Sequence, residues 1–93
     1  MDSPTSSQEL ITLLRRLADR APVNHTELHA LQEESEALAA QISATPSLAT
    51  STPEAVWHFL SDADIRFKDP RYAKAQLAGY LLALAQWERQ GAA

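Results

Sequence analysis

The sequence predicts an all-α protein, a small four-helix bundle built from an N-terminal helical hairpin and a C-terminal helix pair. Alanine occurs 17 times, whereas valine and isoleucine together occur five times, a balance that favours helix over sheet. Apolar residues recur at spacings of three and four, which is the helical period. Prolines fall between the periodic segments and separate them. The length of 93 residues corresponds to one domain, 1–93.

The N-terminal half predicts two antiparallel helices. Residues 1–6 are polar and should be frayed, and Ser6 with Glu9 forms a capping box for a helix over 7–20. Asn24 with Glu27 forms a second capping box, for a helix over 24–44. The short connection between them predicts a helical hairpin. The apolar seams give the expected core residues of this half: Leu10, Leu14, Leu17, Leu28, Leu31, Leu38 and Ile42, with a polar Ser35 in the second seam.

The C-terminal half predicts a linker and two further helices. Residues 45–52 read as an inter-hairpin linker, after which Thr52 should cap a helix over 53–67 that begins with Pro53. The acidic segment 61–64 is a point where this helix should bend. Asp69 and Pro70 start the last helix, over 70–90, and Gly91 should stop it. The expected core of this half consists of Val56, Leu60, Phe67, Leu77, Tyr80, Leu81, Leu84 and Trp87.

Composition excludes several functional classes. There is no cysteine, so disulfides and thiolate metal sites are absent, and two glycines are too few for a phosphate-binding loop. No segment reaches the ~18 apolar residues of a membrane span. An acid stands near the N-terminus, where a secretory signal needs bases, so a cytoplasmic location is expected. The net charge of −4 disfavours binding to nucleic acid, whose phosphates are also negative.

The last helix is more apolar than one core face requires. Segment 77–87 contains only Gly79 and Gln86 outside the apolar class, which indicates either a central core helix or a helix buried by a second chain. Gly79 costs ~1 kcal/mol in a helix relative to alanine, and a close helix crossing would offset that cost. We therefore expect an interface at Gly79, Leu82 and Trp87 and a homodimer.

Charge is segregated along the chain. Residues 22–49 contain four acids and no base, whereas residues 66–74 contain half of the bases. The two segments either face each other or each face outward as part of a charged interface. The expected charged surface comprises Glu27, Glu33, Glu34, Glu36, Arg66, Lys68, Arg71 and Lys74.

Few residues suggest chemistry. His25 and His29, four apart, with Glu33 following, could ligate a transition metal, but the order HTELH lacks a fourth ligand and differs from the HExxH of zinc proteases. His58 has no orienting partner that the sequence identifies. We therefore expect no metal, no cofactor and no catalytic residue.

These observations favour a non-enzymatic helical interaction module, homodimeric, that acts by binding another protein. One alternative is an acidic inhibitor, similar in principle to an antitoxin or a nucleic-acid mimic, which would use the carboxylates of the second helix. Another is a weak nucleic-acid binder that uses residues 66–74. An outward row of acids on the second helix would support the first alternative, whereas acids paired within the chain would exclude it.

Overall fold

The computed structural model describes residues 7–90, and all regular structure in this range is helical. Its elements are α1 (Ser7–Ala18), α2 (His25–Ser43), α3 (Pro46–Ser51), α4 (Glu54–Ser61), α5 (Ala63–Lys68) and α6 (Pro70–Arg89). The predicted all-α class is therefore confirmed. The expected fraying of residues 1–6, the Ser6 cap and the stop at Gly91 lie outside the described residues. None of the helices within 7–90 combines the length and the hydropathy needed to cross a membrane.

Two of the predicted helix starts are capped by the expected side chains. The Asn24 carboxamide oxygen accepts a hydrogen bond from the Glu27 amide at 2.9 Å, and the Glu27 carboxylate accepts from the amide of Val23. The reciprocal bond of the capping box thus falls one residue earlier than predicted. The Asp69 carboxylate accepts from the amides of Arg71 and Tyr72 at the start of α6. These bonds satisfy amides that the helix itself leaves unpaired.

The expected linker at 45–52 is instead the short helix α3. Pro46 occupies its first turn, where a missing amide hydrogen costs nothing, and Leu48 packs against the core. The Thr52 hydroxyl donates to the Leu48 carbonyl at 2.6 Å. Thr52 therefore closes α3, and the prediction that it caps the next helix is wrong.

The helix expected over 53–67 divides at Asp62 into α4 and α5. Asp62 has φ −106° and ψ 21°, outside the helical range. Its carboxylate accepts hydrogen bonds from Tyr72 and Gln76 of α6, and the Ser61 hydroxyl donates to carbonyls of its own turn. Polar side chains that bond elsewhere compete with the helix at this point, so the expected bend is a full break.

Helix α4 packs against both α2 and α6. Helix α6 also contacts α1 and α5, and α2 contacts α3 and α5. Helix α1 packs mainly on α6 rather than on α2, so the N-terminal pair is joined less closely than the predicted hairpin implies. The Tyr80 hydroxyl donates to the Leu14 carbonyl at 2.5 Å, and this buried bond fixes α1 on α6.

Most of the predicted core is confirmed, with one clear error. Leu81 is 41% exposed, because it lies beside the buried face of α6 rather than on it. Leu38, Phe67 and Leu77 are partly buried at the edge of the core. The sequence prediction missed three buried residues, Ile11, Phe59 and Ala63. Confirmed as buried are Leu10, Leu14, Leu17, Leu28, Leu31, Ile42, Val56, Leu60, Tyr80, Leu84 and Trp87.

Candidate functional site

The side of α6 that faces away from the core carries no charge between Lys74 and Glu88. Leu82 is 57% exposed there, whereas Leu84 on the opposite side is buried, as the predicted seam requires. We call this surface the outer face of α6. Its exposed residues are Ala75, Ala78, Gly79, Leu82 and Gln86.

Gly79 lies on this face, and nothing else among residues 7–90 packs closely against it. A Cβ atom added at Gly79 would have nothing within 4 Å. No other helix of the described residues supplies the expected close crossing at Gly79, and a crossing with a second chain stays a prediction. The open position leaves the small residues around it, Ala75 and Ala78, free to accept a side chain from outside.

Trp87 belongs to the core and not to the outer face. Only 3% of its surface is exposed, so of the three expected interface residues, Gly79 and Leu82 are at the surface and Trp87 is not. The Trp87 indole nitrogen is buried without a hydrogen-bond partner among residues 7–90.

The acids of α2 make no ion pair with the basic segment 66–74 within the described residues. All four are exposed. Glu34 pairs with Arg20 at 2.7 Å, and Glu27 caps its own helix. Glu33 and Glu36 have no ion-pair partner within the described part of the chain, so two of the four predicted acids form an unpaired acidic surface.

The basic segment is not a uniform surface patch. Lys68, Arg71 and Lys74 are exposed, but Arg66 turns inward. Arg66 donates from Nη1 to the carbonyl of Phe59 at 2.6 Å and to Oε1 of Gln76 at 2.7 Å. Its guanidinium carbon lies 3.7 Å from the centre of the Phe59 ring. Residues 66–74 therefore offer three solvent-facing cations, not four.

The histidines lie apart from any cluster that could hold a metal. Among residues 7–90, no group of three His, Cys, Asp or Glu side chains is arranged for a metal ion. His25, His29 and Glu33 are all exposed, and the His25 ring lies 5.2 Å from that of Phe67. His58 is also exposed and makes no side-chain hydrogen bond in the described range.

A cleft that the sequence prediction missed opens between the end of α1, α5 and the start of α6. Its volume is about 420 Å³. Its walls are mainly apolar, three bases line it and no acid does. We call it the cationic cleft, and its principal lining residues are Arg20, Leu31, Phe59, Arg66, Phe67, Ala73, Lys74 and Leu77.

A hydrogen-bond network behind the cleft holds Arg66 in place. The Tyr72 hydroxyl and the Gln76 amide donate to the Asp62 carboxylate at 2.7 and 2.8 Å. The Tyr72 hydrogen bond lowers the pKa of Asp62 and raises the pKa of Tyr72. Burial lowers the pKa of Arg66, which nonetheless stays cationic because arginine ionises so far above neutrality.

No family model matches this chain, and comparisons with curated proteins and with solved structures give no match either. The arrangement of its own residues is therefore the basis for any functional proposal.

Proposed function

We propose that the protein is a small non-enzymatic interaction module that pairs with a second copy of itself through the outer face of α6 and acts by binding another protein. The observation that carries the proposal is the exposed Leu82 beside an open Gly79 on an uncharged helix face.

The outer face of α6 is self-complementary. Ala75, Ala78, Gly79 and Leu82 stand at i, i+3, i+4 and i+7, the four positions that form a hole for a side chain of a facing helix. Three of the four are small, so the hole is deep enough for a leucine. Two α6 helices that cross antiparallel near residue 80 would each place Leu82 in the hole of the other. The same residues then serve as knob and hole on both copies, as a two-fold dimer requires.

Burial gives this pairing its driving force. Burying a fully exposed leucine contributes ~1.5–3 kcal/mol, so Leu82, which is 57% exposed, gains roughly half of that. A two-fold interface buries two copies of Leu82. The face between Lys74 and Glu88 holds no charge whose hydration would be lost. A single helix face makes a small interface, so we expect a dimer that forms at micromolar rather than nanomolar concentration.

Leu82→Glu is the test of this proposal. Analytical ultracentrifugation at tens of micromolar should give a dimer for the parent protein and a folded monomer for the variant, because the carboxylate cannot be buried in the hole. Circular dichroism should give the same helical content for both, since Leu82 makes no core contact.

Leu81→Glu is the matched control. Leu81 is the adjacent residue, about 100° around the helix from Leu82, and it lies off the outer face. We expect this variant to remain dimeric. A monomeric parent protein, or a Leu82→Glu variant that dimerises as the parent does, would contradict the proposal.

The inhibitor alternative has weaker support. It requires an outward row of carboxylates on α2, and Glu33 and Glu36 supply such a surface while Glu27 and Glu34 are held by groups of this chain. The nucleic-acid alternative has less support still, because Arg66 is directed into the protein and Lys68, Arg71 and Lys74 remain.

A further inference from the structure

We propose that the cationic cleft binds a small monocarboxylate with an apolar body, of the size and chemistry of a medium-chain fatty acid. The site is separate from the dimer interface proposed above, because the residues that line the cleft and those of the outer face of α6 do not overlap.

The shape of the cleft fits a small ligand. A volume of about 420 Å³ lies within the usual range for small-molecule pockets, ~300–1,000 Å³. The walls are built from Leu31, Phe67, Ala73 and Leu77, which come from three different helices. Such walls accept an apolar chain and offer it no hydrogen-bond partner.

The charge of the cleft selects an anion. Arg20, Arg66 and Lys74 line it without any acidic neighbour in the lining. The Glu34 carboxylate already holds Arg20 at 2.7 Å. Lys74 is exposed at the rim and has no ion-pair partner within residues 7–90. The charge available to a ligand is therefore that of Lys74 and Arg66.

The guanidinium of Arg66 contains a donor nitrogen, Nη2, that the described structure leaves without an acceptor. Nη1 donates both of its hydrogens, one to the Phe59 carbonyl and one to Oε1 of Gln76. Nη2 is buried and has no hydrogen-bond partner in the described structure. A buried donor without an acceptor is costly, and a carboxylate oxygen is the acceptor that bonds most strongly to a guanidinium. A ligand whose carboxylate lies at the cationic end of the cleft, beside Lys74 and Arg66, and whose apolar chain lies along the walls fits both parts of the cleft. A bond to Nη2 requires the Arg66 side chain to shift, because the protein's own atoms cover that nitrogen.

Titration with sodium octanoate, followed by ¹⁵N–¹H NMR, tests the proposal, and octan-1-ol serves as the neutral ligand of matched chain length. We expect saturable shifts of the amides of α5 and the first half of α6, and an affinity for octanoate about tenfold higher than for octanol. Leu82→Glu should bind octanoate as the parent does, so failure of the dimer and failure of the cleft site give different results.

Lys74→Gln and Arg71→Gln form a matched pair of variants. Both residues are exposed bases on α6, but only Lys74 lines the cleft. We expect octanoate to bind several-fold more weakly to Lys74→Gln and equally well to Arg71→Gln. Arg66→Gln should lose the preference for octanoate over octanol, provided that circular dichroism confirms its fold.

Three results would overturn the proposal. The first is equal binding of octanoate and octanol, or no binding of octanoate at millimolar concentration. The second is an equal effect of Lys74→Gln and Arg71→Gln. The third is a change in the chemical shifts of the cleft amides that depends on protein concentration and not on octanoate. That result would mean that a second copy of the chain occupies the cleft.

Discussion

At the scale of single residues, the buried seam of α2 contains a hydroxyl group, that of Ser35, for which the described residues provide no hydrogen bond. Ser35 is 0% exposed, and its hydroxyl has no hydrogen-bond partner among residues 7–90. The period of the seam places this position in the core whatever residue occupies it. A buried hydroxyl without a partner loses its hydration and gains nothing in exchange.

Ser35→Ala should therefore stabilise the protein. The change removes an unsatisfied hydroxyl and improves helix propensity, and together these effects should raise the free energy of unfolding by ~1 kcal/mol. Urea unfolding followed by circular dichroism measures the change. A less stable Ser35→Ala would mean that the hydroxyl makes a bond that contributes to folding.

Gly79→Ala should also stabilise the folded chain. A Cβ at this position meets nothing within 4 Å, so the substitution gains helix propensity of ~0.5–1 kcal/mol without a clash. The comparison belongs in the Leu82→Glu background, where pairing of two chains does not affect the unfolding curve. A drop in the melting temperature of that double variant would mean that Gly79 is packed within its own chain.

At the scale of elements, local chemistry makes some helix boundaries predictable and leaves others open. The caps at Asn24 and Asp69 depend on neighbours two and three residues away, so the sequence contains all the information that they require. The break at Asp62 depends on Tyr72 and Gln76, which reach it from another helix. Helix α3 was missed because its polar composition resembles a loop, while its stability depends on the contact of Leu48 with the core.

The contact of α1 with α6 should depend on pH through Glu88. Glu88 accepts hydrogen bonds from Arg15 and Gln8 at 2.8 Å each. These bonds, that of Arg15 first and that of Gln8 second, lower the pKa of Glu88 to about 2. In the unfolded chain the Glu88 carboxyl has its ordinary pKa of 4.5. The Arg15–Glu88 pair therefore stabilises the fold fully above that pH. Its contribution is lost as the pH falls through 2.

Glu88→Gln should therefore melt at a lower temperature than the parent at pH 7, and the difference should close as the pH falls from 4.5 towards 2. The effect should be small and should shrink with added salt, because both partners are partly exposed. Glu54→Gln is the control, since Glu54 is exposed and has no ion-pair partner in the described range. A difference that stays constant across this pH range would contradict the assignment to the ionised pair.

At the scale of the whole molecule, the two candidate surfaces differ in how far the sequence reveals them. The outer face of α6 belongs to one helix, so an excess of apolar residues within 77–87 was enough to suggest it. Trp87 was predicted both in the core and at the interface, and the structure buries it in the core. The cationic cleft takes its walls from α2, α4, α5 and α6 and from the end of α1. The lining residues between Ala63 and Leu77 recur at helical spacings of three and four. Only the packing of the helices brings Arg20, Leu31 and Phe59 against them.

If pairing through α6 joins folded chains only, the stability of the protein must depend on its concentration. Association stabilises the folded state because only folded chains pair. At a concentration a hundredfold above the dissociation constant, it adds on the order of 1 kcal/mol or more per chain to the free energy of unfolding. In a domain of this size, 1 kcal/mol shifts the melting temperature by ~4–8 °C. Calorimetry of the parent from micromolar to millimolar concentration should show this rise, whereas Leu82→Glu should melt at one temperature throughout. If the melting temperatures of the two proteins instead changed with concentration in the same way, the outer face of α6 would have no role in self-association.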